Sequence, residues 1–279
     1  MKLHGLDFSK IFEELKLSQA NLIVATPSFI DLLLLDKSFG KELMVNLQTI
    51  LFCGEKLLKS TINKLYSRFD NLQIINSYGP TECTFAVTSI NISKDMVNNE
   101  NVPIGIPKND VNIYIVDENR KKIKDGEIGE ILIVGESVSD GYVGNIVNNS
   151  FFKYNGKKAY LTGDLGYIKN GVLYYKARKD KQIKFKGYRI ELTDIEENLQ
   201  KLDYIDKAVS INNSNKDGKT INIIAFISLK ENITKTELEI IKDLKKKIPE
   251  YMCPKIKIIK NFPLNANGKC DEKKLLEEF

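Results

Sequence analysis

Four stretches of this 279-residue chain combine side chains suited to phosphate and nucleotide chemistry. Tyr78-Gly79-Pro80-Thr81-Glu82 sets an aromatic face, a hydroxyl and a carboxylate on one tight turn. Those groups suit a purine, a phosphate and a divalent cation respectively. The same order also reads as a plain turn leading into a capped segment. Tyr160-Leu161-Thr162-Gly163-Asp164 ends on an aspartate behind a glycine. Arg178 to Glu191 holds two of the four arginines, Arg178 and Arg189, in a chain whose other basic residues are almost all lysine. A guanidinium fork holds a carboxylate or phosphate in a fixed plane, where lysine offers a mobile point charge. The alternative for this stretch is a twisted strand with a solvated basic edge. Last, Asn265-Ala266-Asn267-Gly268-Lys269 places a lysine after a glycine turn, a position ordinarily open to solvent.

Other chemistries are excluded or disfavoured. His4 is the sole histidine and stands at the start of the chain, which rules against a histidine-based nucleophilic triad. Cys53, Cys83, Cys253 and Cys270 lack paired metal-ligand spacing and are expected as reduced thiols. The net charge is +5, but the lysines alternate with Asp and Glu, the pattern of a solvated mixed surface and not of a nucleic-acid stripe. With 42% hydrophobic and 28% charged residues, the composition is that of a globular protein. It has no apolar run of about eighteen residues and no signal-peptide order, so a cytoplasmic location without membrane insertion is expected.

The elements that position these residues follow from periodicity. Phe8, Ile11, Phe12 and Leu15 share a helical face. Leu22-Ile23-Val24-Ala25 reads as a strand, and Thr26-Pro27-Ser28 opens a helix from Phe29 to Leu35. Thr49 to Cys53 and Leu72 to Asn76 read as further strands around a helix from Leu57 to Phe69. Alternation of this kind predicts an α/β fold, with a parallel sheet covered on both faces and ligands at the C-terminal strand ends. From about residue 106 short strands take over, with Asn170-Gly171 signalling a type I′ hairpin. Beyond 180 the pattern is α+β. Capping boxes are expected at Thr193–Glu196 and Thr234–Glu237, the second opening a helix to Lys247.

The stretch Ala177-Arg178-Lys179-Asp180-Lys181-Gln182-Ile183-Lys184-Phe185-Lys186-Gly187-Tyr188-Arg189-Ile190-Glu191 resembles the core motif of the adenylate-forming ligases, which include acyl-CoA synthetases, luciferases and peptide-synthetase adenylation domains. Only the opening glycine differs, being Ala177. Tyr78 to Glu82, Tyr160 to Asp164, Pro249 to Pro254 and Asn265 to Lys269 resemble further motifs of the same superfamily. The resemblance implies that Tyr78 stacks on adenine, Thr81 binds the α-phosphate, and Glu82 helps hold magnesium. It also implies that Asp164 accepts the ribose hydroxyls, Arg178 contacts the nucleotide and Asn76 joins that nucleotide-binding set. Asp180 would be a hinge, and Lys269 would be catalytic beside Thr81 and Glu82. Leu161 replaces the basic residue common at its position, which removes a secondary phosphate contact.

Within the superfamily the likeness runs to the ligases that load D-alanine onto a carrier protein, carried by Ala25 to Phe29, Phe52-Cys53-Gly54-Glu55 and Asn76 to Glu82. It implies ATP and magnesium as cofactors, D-alanine and a phosphopantetheinylated D-alanyl carrier protein as partners, and a role in teichoic-acid D-alanylation. Cys53 and Gly54 would line the amino-acid pocket. The domains implied are residues 1–105 as the remainder of an α/β subdomain, 106–179 as a β-barrel-like subdomain and 180–279 as a mobile C-terminal domain.

One departure matters. The superfamily's phosphate loop, rich in glycine, serine and threonine, has no counterpart ahead of Tyr78, and Pro263 bars a Gly-x-x-x-x-Gly-Lys reading at Gly268-Lys269. A truncated, inactive portion of a ligase is therefore expected, with self-association through an incomplete core. Two alternatives stay open: a peptide-synthetase-type domain for another amino acid, and a non-catalytic nucleotide- or carrier-binding fragment.

Overall fold

The computed structural model describes residues 10–98, 101–144, 148–215, 218, 220–265 and 270–277. The chain divides into two compact units, Met1–Lys179 and Asp180–Phe279.

The first unit opens with α1 (Ile11–Ser18), β1 (Leu22–Ala25), α2 (Pro27–Leu33), β2 (Thr49–Phe52), α3 (Lys59–Arg68) and β3 (Gln73–Tyr78). Thr26 starts α2 by accepting the Phe29 N–H on its hydroxyl, and Pro27 fills the first helical position, where a missing donor is harmless. In α3, Thr61, Ile62 and Leu65 turn inward together at helical spacing. β1, β2 and β3 pair in parallel, in register Val24 with Leu51 with Ile75. Ile50, Phe52 and Ile74 on one face pack with Ile30, Leu33, Ile62 and Leu65 in one core.

Two features depart from a parallel sheet covered on both faces. β4 (Thr88–Asn91) and β5 (Ile106–Pro107) extend the sheet antiparallel, with α4 (Lys94–Asn98) between them. Residues 79–87 are too few for a parallel crossover, so the chain folds straight back onto β3. At the other edge, Leu22 and Val24 of β1 are 49% and 56% exposed.

A second sheet follows: β6 (Val111–Val116), β7 (Gly129–Gly135), β8 (Phe151–Tyr154), β9 (Lys157–Lys169) and β10 (Val172–Arg178). All its pairings are antiparallel, and its path runs β10-β9-β7-β6 with β8 against β9. Asn170 and Gly171 both take positive φ, 53° and 76°, which closes the β9–β10 hairpin with a twist that suits the strands. Ile113, Ile115, Ile131, Ile133 and Leu173 fill one side of this sheet, together with Tyr78 of β3 and Val87 just ahead of β4.

The second unit begins with the hairpin β11 (Gln182–Phe185) and β12 (Tyr188–Glu191). It continues through α5 (Leu192–Gln200), β13 (Ile205–Ser214), β14 (Thr220–Leu229), α6 (Glu237–Leu244), β15 (Lys255–Ile258) and α7 (Glu272–Glu277). β13 and β14 pair antiparallel and β14 and β15 parallel. α5 and α6 bury Ile195, Leu199, Ile240 and Leu244 in one core, while Val209, Ile211, Phe226 and Leu275 form another.

Both expected capping boxes are corrected. β12 runs directly into α5, so Glu191 is the cap position and no side chain caps the helix. Glu196 instead accepts the Ser210 N–H at 2.7 Å and pairs with Lys181 at 2.9 Å. The second box forms two residues later, between Thr236 and Glu239, because Thr234 lies ahead of the first helical turn. That helix ends at Leu244, short of Lys247.

Tyr204 gives a pH prediction for this unit. Burial pushes its phenol up to about 12, aided by the bond its hydroxyl donates to Asp243 and by that carboxylate's charge. A folded-state value above the ordinary phenol value of about 10 means a stabilising contribution that is complete below that pH and lost as pH rises through 12. Alkaline unfolding curves should lose stability across this window, and Tyr204→Phe should flatten that loss.

Candidate functional site

The ends of β2 and β3 lie side by side, tied by the Ser77 hydroxyl, which donates to the Phe52 carbonyl at 2.7 Å. Cys53 follows β2 as a buried thiol, with Gly54 at φ 94° beside the Thr26 methyl. Asn76 is buried, and its amide donates to the Pro103 carbonyl at 2.7 Å. Beyond β3, a 3-10 turn over Thr81–Cys83 leaves Thr81 exposed and Glu82 buried. Burial next to Glu82 pushes the Cys83 thiol up to about 12, so it stays protonated and inert at neutral pH.

Asp164 is placed by a bulge. Glu130 pairs with Leu165 and Leu132 with Leu161, so Ile131 of β7 faces Thr162, Gly163 and Asp164 of β9. Extra residues of this kind bend a strand and re-aim a side chain. The Thr162 hydroxyl fastens the bulge, donating to the Ile131 carbonyl at 2.9 Å and accepting the Asp164 N–H at 3.1 Å.

Three of the sequence-derived site residues meet here. The Tyr78 hydroxyl donates to one Asp164 oxygen at 2.6 Å. Arg178, cross-strand partner of Asp164, donates to the other at 3.0 Å and to the Thr162 carbonyl at 3.0 Å. All three side chains are largely buried. Burial, joined by the Asp164 charge and hydrogen bond, drives the Tyr78 phenol well above its ordinary value, so it remains a donor. A buried carboxylate oriented by two donors still has lone pairs to accept a pair of neighbouring hydroxyls. Tyr78→Phe removes one orienting donor and should cost about 1.5–3 kcal/mol of stability in the first unit, read by urea denaturation.

Glu82 carries a partner that no local pattern announced. The Tyr142 hydroxyl donates to its Oε1 at 2.5 Å, and the Ser139 N–H donates to its carbonyl at 2.9 Å. Tyr142 lies in Gly141-Tyr142-Val143-Gly144, where the flanking glycines were the available signal. Among the described residues, no group of three or more His, Cys, Asp or Glu is placed to hold a metal. One buried carboxylate does suit magnesium, which is held by one or two carboxylates together with substrate phosphates.

Asp180 opens the second unit and accepts the Gln182 N–H on its own side chain at 3.1 Å. Lys269 lies outside the described residues. Among the described residues, no helix is long and apolar enough to cross a membrane.

The chain is similar to proteins of known type. It is 43% identical over 276 residues to the D-alanine--D-alanyl carrier protein ligase of Bacillus licheniformis, covering 96% of this chain and 55% of that protein. The ligase of the same name from Streptococcus agalactiae serotype III is 40% identical, with 98% and 56% covered. The chain thus spans about half the length of the curated relatives it matches. Its fold is similar to the Vibrio cholerae adenylation domain AlmE in complex with glycyl-adenosine-5'-phosphate, at TM-score 0.83 and 24% identity over 98% of this chain and 52% of that one. It is likewise similar to the amide bond synthetase McbA of Marinactinospora thermotolerans, at TM-score 0.84 and 15% identity over 99% and 56%. Residues 194–269 match the AMP-binding enzyme C-terminal domain. With residues 2–143, half of its length, matching the AMP-binding enzyme family itself, the chain belongs to that family.

Proposed function

We propose that this chain carries the nucleotide-binding part of an ATP-dependent ligase that adenylates D-alanine and passes it to the phosphopantetheine thiol of a D-alanyl carrier protein. The single observation that carries the nucleotide reading is the buried cluster in which Asp164 is oriented by Tyr78 and Arg178. Identity of 43% to a D-alanine--D-alanyl carrier protein ligase supports the substrate and partner.

In the first half-reaction the D-alanine carboxylate attacks the α-phosphorus of ATP and pyrophosphate leaves, giving the acyl-adenylate. Charge spreads over the phosphoryl oxygens, so positioned donors and cations lower the barrier. Asp164 accepts the ribose hydroxyls, Arg178 holds that carboxylate in place, and the exposed Thr81 hydroxyl reaches the α-phosphate. Glu82 would hold magnesium, which neutralises phosphate charge when bound. Lys269 would bridge the carboxylate and phosphate oxygens, and Cys53 with Gly54 would line the amino-acid pocket. In the second half-reaction the carrier thiol attacks the adenylate carbonyl and AMP leaves, with Asp180 as the hinge between the two arrangements.

The exposed Leu22 and Val24 on the β1 edge support self-association of the chain by itself. A clean monomer in sedimentation at high concentration would count against it.

D-alanine-dependent ATP-pyrophosphate exchange tests the function, with L-alanine as control. No exchange is expected from this chain alone. Selective exchange with D-alanine is expected once the remaining half of a relative's length is supplied in the same polypeptide. Exchange that favours another amino acid there would reject the substrate assignment.

A further inference from the structure

Glu130 stands at the start of β7, and its side chain is only 13% exposed although it carries a charge. Its Oε1 accepts the Gly163 N–H at 3.0 Å, and its Oε2 pairs with the Lys179 ammonium at 3.2 Å. Lys179 closes a third link, donating its own N–H to the Gly163 carbonyl at 2.8 Å. Both backbone polar groups of Gly163 are therefore held, at a residue with φ 72°, one position before Asp164. A bulge leaves backbone groups without ladder partners, and an unpaired group in a buried sheet is costly. Glu130 supplies the missing acceptor, and Lys179 supplies the missing donor.

We propose that Glu130 is a positioning residue that fixes the Thr162-Gly163-Asp164 bulge and ties it to Lys179, the last residue of the first unit. It does not touch the nucleotide. It sets the angle at which the Asp164 carboxylate meets the ribose, and it makes the chain leading out of the first unit part of the same hydrogen-bonded clamp. The orientation of Asp164 then depends on Lys179 staying in place, which couples ribose affinity to the linker. The assignment rests on the reading of Asp164 as the ribose acceptor.

The test compares wild type, Glu130→Ala, Glu130→Gln and Lys179→Met in two measurements. The first is amide hydrogen exchange without nucleotide. In Glu130→Ala, exchange at Gly163 and Asp164 should quicken by about tenfold or more, the loss of one buried hydrogen bond to a charged acceptor, while β13 and β14 stay unchanged. Glu130→Gln keeps an acceptor for the Gly163 N–H and should restore most of the protection. Lys179→Met should fall between the two. Unchanged exchange at Gly163 in Glu130→Ala overturns the clamp, whatever the nucleotide data show.

The second measurement is calorimetric binding of ATP and of 2′,3′-dideoxy-ATP, which lacks the hydroxyls. Glu130→Ala should weaken ATP by about tenfold and the dideoxy nucleotide by less than about twofold. Equal weakening of both overturns the link to the ribose and leaves Glu130 as a fold residue. A wild type that does not distinguish the two nucleotides overturns the ribose reading, and with it the proposed coupling. The exchange result then decides by itself whether the clamp exists.

Discussion

Asp164→Ala is expected to destabilise the first unit by about 3–5 kcal/mol and to abolish its preference for a nucleotide with an intact ribose. Removing the carboxylate takes an ion-pair partner from Arg178, whose side chain is 16% exposed, and the acceptor from the buried Tyr78 hydroxyl. Breaking a buried ion pair by deleting one partner is among the few single-site changes with so large a cost. Asp164→Asn is the informative companion, because its amide oxygen still accepts from Tyr78 while the charge opposite Arg178 is lost. Urea denaturation of the two variants separates the hydrogen bond from the ion pair: Asn should recover part of the loss, never all of it. Equal stability of Asp164→Ala and wild type would mean that the cluster is solvated in solution.

The second large effect is expected at Gly79. A Cβ there would lie 2.0 Å from the Phe85 carbonyl oxygen and 2.9 Å from the Ala86 Cα, both backbone atoms that no rotamer change can move aside. The loop comes this close because Thr84 and Phe85 both adopt positive φ, 59° and 68°, and turn the chain back over the glycine. Gly79→Ala must therefore push Phe85 outward or displace Tyr78, Thr81 and Glu82 together. A cost of about 3 kcal/mol is expected, with loss of nucleotide binding beyond what stability explains. Gly126→Ala is the control, since φ is 92° there but nothing lies within 4 Å of the added carbon. It should cost only the backbone strain of about 1–2 kcal/mol and leave binding intact. Similar losses from both substitutions would show that the loop over Gly79 yields to the added carbon and that the close approach costs little.

Local signals carried much of the fold. Thr26-Pro27 marked the start of α2, Asn170-Gly171 closed the β9–β10 hairpin, and apolar runs located β1, β2 and β3. The antiparallel return of β4 was not legible, because Thr88 to Asn91 is short and its direction depends on how few residues precede it. The capping boxes failed for a related reason. Thr193 and Glu196 have the right spacing, but a strand that runs unbroken into a helix leaves no place for a cap.

At the site, the motif residues could be named from sequence, but their contacts could not. Nothing in Tyr78 or Asp164 says that one hydroxyl meets the other's carboxylate across 86 positions, since that meeting is made by two separate sheets. The bulge that aims Asp164 depends on the pairing of β7 with β9, so nothing in the local sequence around Glu130 marks it as the acceptor of the Gly163 N–H. Tyr142 is illegible for the same reason: its role exists only once residues 139–142 lie over the 3-10 turn that bears Glu82.

The role of Asp164 as ribose acceptor is tested most directly by calorimetric titration of ATP and 2′,3′-dideoxy-ATP into wild type and Asp164→Asn. Wild type should bind ATP about tenfold or more tightly than the dideoxy nucleotide, and Asp164→Asn should remove this difference by weakening ATP alone. Retention of the full preference in Asp164→Asn would contradict that role, because the ribose would then be held elsewhere.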